Sequence, residues 1–328
     1  MWPFSRTLRG DEASLEFVLV AEKGILERQA LLLCESIRRF GGKYSRCAIT
    51  VASPRPSRRP SAQTLAQLDR MACTYLPLEA DSVEPEYGTT FRMYVSAELE
   101  RISNAEILVV MDSDLLFCRE PDLALNGCSA ALRPVDAKGI CTAGNGDPRD
   151  GYWQALCDVL GVDYDAIPMV ETTAGGISVK ASYNGGLAVV KRRLGIFERT
   201  LRYFQLSVAA GLLPSPGTDN KVNAGHGLVS GRASELWGSS QACLSLAIWG
   251  SGLSVRTLPR SHNFPLHMYA GLQRAERKIP LSIIHYHDLF DRDPALNPAL
   301  NGSANVSLKF SRWIRSKALA QNHAVSPQ

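Results

Sequence analysis

Apolar residues recur along the chain in two alternating patterns, short continuous runs and longer stretches with a helical period. Residues 15–21 (LEFVLVA), 47–52 and 74–78 read as strands buried on both faces. Between them, Leu26, Ala30, Leu33, Ile37 and Phe40 mark one face of a helix over 25–40, and a second helix spans about 62–71. This β-α-β-α-β order predicts a parallel sheet with right-handed crossovers. A helix over 90–102 then delivers the chain to the run 107–111. Residues 129–135, 187–191 and 281–286 read as further strands, and 194–210 and 237–249 as helices. Residues 136–151 carry four glycines and little apolar content, which predicts a loop able to close over a site. No internal repeat or clean linker is present. The organisation expected is an N-terminal extension (1–14), one domain (15–290) and a tail (291–328) whose KFSRWIRSKAL segment places Phe310, Trp313, Ile314 and Lys317 at helical spacing.

The run ILVVMDSDLLFC breaks at Asp112 and Asp114 and then resumes its apolar character. An isolated Asp-x-Asp is usually an acidic turn, but such turns are rarely enclosed by apolar residues on both sides. Carboxylates two apart at the end of a buried strand can converge on a hard divalent cation, which in turn recruits a diphosphate. A dehalogenase-type phosphatase fits the same motif, with Asp112 as nucleophile and Asp114 as acid. Its later motifs are missing, since GDPRD at 146–150 is only a weak imitation. A noncatalytic sugar-binding protein is the third alternative.

Several motifs then fall in a recognisable order. Phe91-Arg92-Met93 lies on the helix before MDSD, Asn184-Gly185-Gly186 precedes an apolar strand, Ser240-Gln241 opens a helix, and a late strand ends in IIHYHD. Over about residues 15–290 the chain resembles nucleotide-sugar glycosyltransferases of GT-A fold, of the glycogenin and bacterial galactosyltransferase type. The resemblance implies an α/β, Rossmann-like architecture with a mixed, mostly parallel sheet flanked by helices. It implies a donor site of Arg92, Asp112, Ser113, Asp114, Gly185 and Gly186, with Glu22 and Lys23 at the end of the first strand, where such folds receive a nucleotide. It further implies that Gln241 and Asn184 act on the sugar and that His285 joins Asp112 and Asp114 at the metal, with His287 an alternative ligand two residues on. Oxygen ligands suit Mg²⁺ or Mn²⁺, and an imidazole tilts the choice toward Mn²⁺. The expected donor is a nucleotide-diphosphate sugar, a UDP-sugar first. The acceptor is a glycan, a lipid-linked acceptor or a protein, and transfer with retention is the leaning. For an inverting reaction Asp219, Glu235 and Asp288 are loose candidates for the base. Two positions depart from the family: Ser240 replaces an Asp, and HYHDLFDRDP replaces Gly-x-x-Lys-Pro-Trp. The second leaves the leaving diphosphate to be neutralised by another base.

Composition narrows the setting. With 328 residues, 45% of them hydrophobic, the chain can bury a substantial core, and its net charge of +4 gives no nucleic-acid-like excess of base. The eight cysteines show no Cys-x-x-Cys pair, and the first residues lack the apolar stretch of a signal peptide. Both point to a reducing cytoplasm, which makes the sequons at Asn301 and Asn305 coincidental. Two basic features suggest partners. Arg55, Arg58 and Arg59 cluster in a Pro-rich loop, and the C-terminal amphipathic helix could lie on the inner face of an anionic membrane or dock its aromatics on the domain.

Overall fold

The computed structural model describes residues 14–217, 219–224, 227–271, 278–287, 300 and 305–322. The first half runs β1 (Leu15–Val20), α1 (Ile25–Phe40), β2 (Ala48–Ser53), α2 (Ala62–Arg70), β3 (Thr74–Pro77), α3 (Thr89–Ile102), β4 (Ile107–Met111), β5 (Leu115–Phe117) and β6 (Ala130–Pro134). Next come α4 (Asp150–Leu160), β7 (Met169–Glu171), β8 (Ser178–Lys180), β9 (Tyr183–Lys191), α5 (Ile196–Ala209), β10 (Val222–Ala224) and β11 (Gly227–Val229). The chain continues through α6 (Arg232–Glu235), α7 (Ser239–Trp249), β12 (Val255–Thr257), β13 (Phe264–Pro265), β14 (Ile283–His285) and α8 (Leu308–Asn322).

Seven strands form the central sheet in the order β12-β6-β9-β4-β1-β2-β3. All neighbours pair in parallel except β9, which is antiparallel to both β4 and β6. The strands are apolar throughout because helices cover both faces of the sheet. Phe17 and Leu19 face α1 in a cluster with Leu33 and Ile37, whereas Val18 faces the other way with Val95 and Leu99 of α3 and Leu246 and Ile248 of α7. The architecture expected from the sequence, a mixed, mostly parallel α/β sheet between helices, is therefore the one observed.

The predicted strand at 187–191 is the second half of β9, which starts four residues earlier. The register of β9 against β6 breaks between Leu132, opposite Ala188, and Arg133, opposite Asn184. Gly185 and Gly186 lie in this bulge, where the backbone leaves one ladder and leans on the other. The predicted loop 136–151 is shorter than expected, because α4 begins at Asp150. It is tied down as well. The Trp153 indole donates to the Ile140 carbonyl at 2.8 Å, Thr142 donates to Asp150 at 2.9 Å, and Lys138 pairs with Asp147 at 2.7 Å.

The C-terminal helix docks its aromatics on the domain. Phe310, Trp313 and Ile314 are buried in the same cluster as β1 and α1, and the Phe310 and Trp313 rings each lie 5.3 Å from Phe40. Burial of a ring such as Phe310 contributes on the order of 2–3 kcal/mol. Trp313 Nε1 donates to Glu35 at 2.9 Å, and Lys317 pairs with the same carboxylate at 2.6 Å. The apolar face read as a surface for a bilayer is therefore spent inside the domain, while Arg312 and Arg315 stay exposed. Among the described residues no helix is long and apolar enough to cross a membrane, and all eight cysteines are free.

Glu100, near the end of α3, caps the start of α5. Its carboxylate accepts the Glu198 N–H at 2.8 Å, and its other oxygen is buried without a partner. Burial outweighs the hydrogen bonds from the helix and raises its pKa to about 7. A folded pKa above the unfolded value near 4.5 means that the stabilisation from proton uptake is fully present below pH 4.5 and is lost as pH rises through 7. The shift is worth on the order of 3 kcal/mol. Glu100→Gln keeps an acceptor and removes the charge, so its stability relative to the parent should be greater at pH 8 than at pH 5 in urea unfolding. An identical difference at both pH values would show that Glu100 is charged throughout.

Candidate active site

Parallel strands end at one edge of the sheet, and there the acidic residues gather: Glu22 after β1, Asp112 after β4 and Asp136 after β6. Because β9 runs the opposite way, it begins at this same edge and brings Asn184 with it. The edge forms the floor of a cavity of about 790 Å³.

Asp112 and Asp114 do not share one environment. The chain leaves the extended conformation at Met111 and turns at Ser113 and Asp114, so the rule that residues two apart face the same side no longer applies. Asp112 is ion-paired with Arg92, whose guanidinium also donates to the Gly185 carbonyl at 2.9 Å. Ser113 Oγ donates to the Val20 carbonyl at 2.5 Å and ties the turn to β1. Asp114 is buried between two imidazoles, with His285 Nε2 at 3.2 Å from one oxygen and His287 Nδ1 at 3.3 Å from the other. Burial pushes the Asp114 carboxyl up, but His285 and His287 outweigh it and hold the group well below the usual carboxylate range. Burial likewise opposes charge on His285, and Asp114 beside it raises the imidazole overall.

Among the described residues, Asp114, His285 and His287 are the group able to hold a metal ion, their ligand atoms lying within 4.8 Å of one another. The His285 and His287 rings are inclined at 83° with centroids 4.0 Å apart. β14 supplies His285 by pairing antiparallel with β5, which puts His285 opposite Leu115. His287 reaches the same carboxylate because its backbone turns to a φ of 51°.

Gly186 explains how these parts come so close. Its carbonyl accepts the Asp112 N–H at 2.8 Å, and its N–H donates to Asn184 Oδ1 at 2.9 Å. A Cβ at this position would lie 2.9 Å from Asp112 Oδ2 and 3.1 Å from His285 Cε1. At Gly185 it would lie 3.1 Å from the Arg92 guanidinium. Gln241, in the first turn of α7, accepts the Gly185 N–H through Oε1 at 3.3 Å, and its side chain borders the cavity.

Glu22 is buried and engaged by both arms of Arg55, whose guanidinium also lies 4.2 Å from the centre of the Phe91 ring. Arg55 from the Pro-rich loop is thus part of the cavity wall. Lys23 stands exposed at the rim, its N–H bonded to the Arg58 carbonyl at 2.8 Å. Of the loose candidates for a base, Glu235 accepts the Gly217 N–H at 2.9 Å, and neither it nor Asp219 lines the cavity. Asp288 and Asn301 lie outside the described residues.

Sequence reasoning missed two members of the site. Asp136 accepts from Asn184 Nδ2 at 3.0 Å and from Thr173 at 2.8 Å, and it pairs with the fully buried Arg133. Its signal was available, because an acidic residue directly after an apolar parallel strand occupies the same kind of place as Asp112. His267 stacks on His287 at 4.3 Å between centroids. It comes from a short helical turn, Leu266–Gly271, with no periodic pattern to mark it.

Residues 17–210 match the model of the Rhodobacterales glycosyltransferase domain. None of the curated proteins matches the chain. Among solved structures, the chain is similar to the apo structure of the WbbM bifunctional glycosyltransferase, with a TM-score of 0.50 and 12% sequence identity. That alignment covers 93% of this chain and 52% of the other, so the chain spans about half the length of WbbM. At such an identity the likeness speaks for the fold, whereas the domain match extends over more than half of the sequence and includes the Asp112–Asp114 turn, Asn184 and Gly186. On that match, the chain belongs to the Rhodobacterales glycosyltransferase family.

Proposed function

We propose that this glycosyltransferase is metal-dependent, takes its sugar from a nucleotide-diphosphate donor and works on a GT-A-type plan. The observation that carries the reading is the Asp114 carboxylate between His285 and His287, set in a cavity beside the Arg92–Asp112 pair. One carboxylate and two imidazoles suit Mn²⁺ better than Mg²⁺, which prefers oxygen ligands and keeps its water. Bound there, the ion would supply positive charge to the diphosphate of the donor. Both histidines are assigned to it, since a ring nitrogen of each and an Asp114 oxygen all lie within 4.8 Å of one another.

The remaining roles follow from position. Arg92 and Asp112 present a fork of N–H donors and a carboxylate to the sugar and ribose hydroxyls. Gly185 and Gly186 let Arg92, Asp112 and His285 close in on the backbone, because a Cβ would meet Arg92 at 3.1 Å from the first and Asp112 at 2.9 Å from the second. Asn184 is held by Asp136 and offers its amide edge to a hydroxyl. Gln241, which accepts the Gly185 N–H at the border of the cavity, serves as a polar stabiliser of the developing positive charge on the sugar, which suits retention. The end of β1, with Lys23 and the Arg55–Glu22 pair, receives the nucleoside, and a UDP-sugar is the first donor to try. A cavity of about 790 Å³ leaves room for part of an acceptor beside such a donor. The dehalogenase-type alternative needs the Asp112 carboxylate for in-line attack, whereas here Arg92 holds it.

In calorimetry with Mn²⁺ alone, Asp114→Asn should abolish measurable binding, and His285→Ala and His287→Ala should each weaken it by roughly tenfold or more. Asp112→Asn should retain most Mn²⁺ affinity but lose donor affinity. Unchanged Mn²⁺ binding in the Asp114 variant would remove the proposed centre. Gly186→Ala should stay folded by circular dichroism and still bind Mn²⁺ and donor at least tenfold more weakly, because the added methyl displaces Asp112 or His285, a displacement of the order that costs a well-positioned site about that much. Parent-like titration curves for that variant would show that the site can give way there.

A further inference from the structure

We propose that the acceptor is recognised through a sugar ring and that this ring stacks on the indole of Trp237. The proposal rests on the donor reading above, which sets the nucleoside at the end of β1. Order along the sheet edge then carries the argument. From β2 the strands follow as β1, β4, β9 and β6, and the residues they bring to the cavity are Arg55, Glu22, Asp112, Asn184 and Asp136 in that order. A donor that starts at β1 and passes the turn after β4 with its diphosphate presents its sugar at β9. The acceptor reaches that sugar from the side the donor leaves open, toward β6.

Trp237 stands on that side. Its neighbour Gly238 lies so close to the loop leaving β6 that a Cβ there would be 2.8 Å from the Ile140 side chain. Gln241, one turn further along, is bonded to Gly185 of β9 at 3.3 Å. Among the described residues, Tyr87, Phe91 and Trp153 also line the cavity, but these rings are buried, whereas Trp237 is half-buried. The indole therefore gives the cavity an aromatic surface. Its support is rigid. Tyr87 meets it at 74° with centroids 6.4 Å apart, and Tyr87 in turn lies 5.9 Å from Phe204 and shares a hydrogen bond with Ser240 at 3.2 Å. A ring held in this way loses little freedom when a ligand settles on it.

The surroundings of the indole select the kind of acceptor. Gly238, Ser240 and Gln241 follow it along the cavity wall, so one aromatic plate is set among polar groups. A sugar ring matches this lining, because it has a face of C–H groups for the indole and a rim of hydroxyls for the polar atoms beside it. An alkyl chain does not, since it would take water from those atoms and return no hydrogen bond.

The test uses the parent, Trp237→Phe, which keeps a smaller ring, and Trp237→Leu, which keeps apolar bulk without a ring. Each is titrated by saturation-transfer NMR, with and without Mn²⁺ and UDP, against the methyl glycosides of glucose, galactose, mannose and N-acetylglucosamine, their hexyl counterparts, hexan-1-ol and a serine tripeptide. At least one methyl glycoside should bind the parent with saturation confined to protons on one face of its ring. Its affinity should fall roughly fivefold or more in Trp237→Leu and stay within about threefold of the parent in Trp237→Phe. Tighter binding of the hexyl glycoside with the same dependence on Trp237 would keep the sugar assignment and place the ring on a lipid carrier. Equal glycoside affinity in all three proteins, no glycoside binding to the parent, or binding of hexan-1-ol or the peptide in place of the glycosides would each overturn it. UDP titrations in Mn²⁺ should be the same for all three proteins, which shows that the variants are folded. Failure of the parent to bind any nucleoside diphosphate would end the donor reading, and sugar binding that still depends on Trp237 would stand without it.

Discussion

A strand that runs backwards through an otherwise parallel sheet creates the geometry of this site. Parallel strands leave their carboxyl ends at one edge, where helices and loops begin. β9 enters the sheet at that edge, so its first residues are level with the last residues of β4 and β6. Asn184 thereby donates to Asp136, the Gly186 carbonyl accepts the Asp112 N–H, and the Gly185 carbonyl accepts from Arg92. Gly186 can sit between Asp112 and His285 only because it has no Cβ. The bulge opposite Leu132 and Arg133 lets the strand serve both neighbours at once.

A second constraint is electrostatic. Three carboxylates of the cavity are each paired with an arginine, Glu22 with Arg55, Asp112 with Arg92 and Asp136 with Arg133, and Asp114 lies between two imidazoles. Such pairing keeps buried acids charged without mutual repulsion. The pairs also differ in what they leave open. Arg133 is wholly buried and fixes Asp136 from behind, whereas the histidines approach Asp114 from the cavity side, in the positions from which ligands would approach an ion.

Much of the framework was legible in the sequence because both faces of the sheet are covered. The apolar runs at β1, β2 and β4 could hardly be anything other than buried strands, and α1 shows its stripe at Leu33, Ile37 and Phe40. The direction of β9 was not legible, since an apolar run at 187–191 reads the same in either sense. Asp112, Asp114, Arg92, Asn184, Gln241 and both late histidines, named as candidates from the sequence, all border one cavity. The separate surroundings of Asp112 and Asp114 were not legible, because the expectation that they face together assumes a strand that continues past Met111. The chain turns there instead. His267 was invisible because nothing periodic precedes it and its significance depends wholly on a ring 20 positions away.

The docking of α8 on α1 has a consequence for the order in which the molecule can be completed. Phe40 is made long before the rings that cover it, Phe310 and Trp313, and Glu35 waits for Trp313 across 278 positions of sequence. By then β1, β4, β9 and every residue of the cavity have already been made. A nascent chain holding the whole site still shows water an uncovered apolar stripe on α1, and closing so long a loop is slow compared with local helix formation. Such a surface is a natural place for chaperone contact or for association between unfinished chains. Docking of α8 closes that stripe.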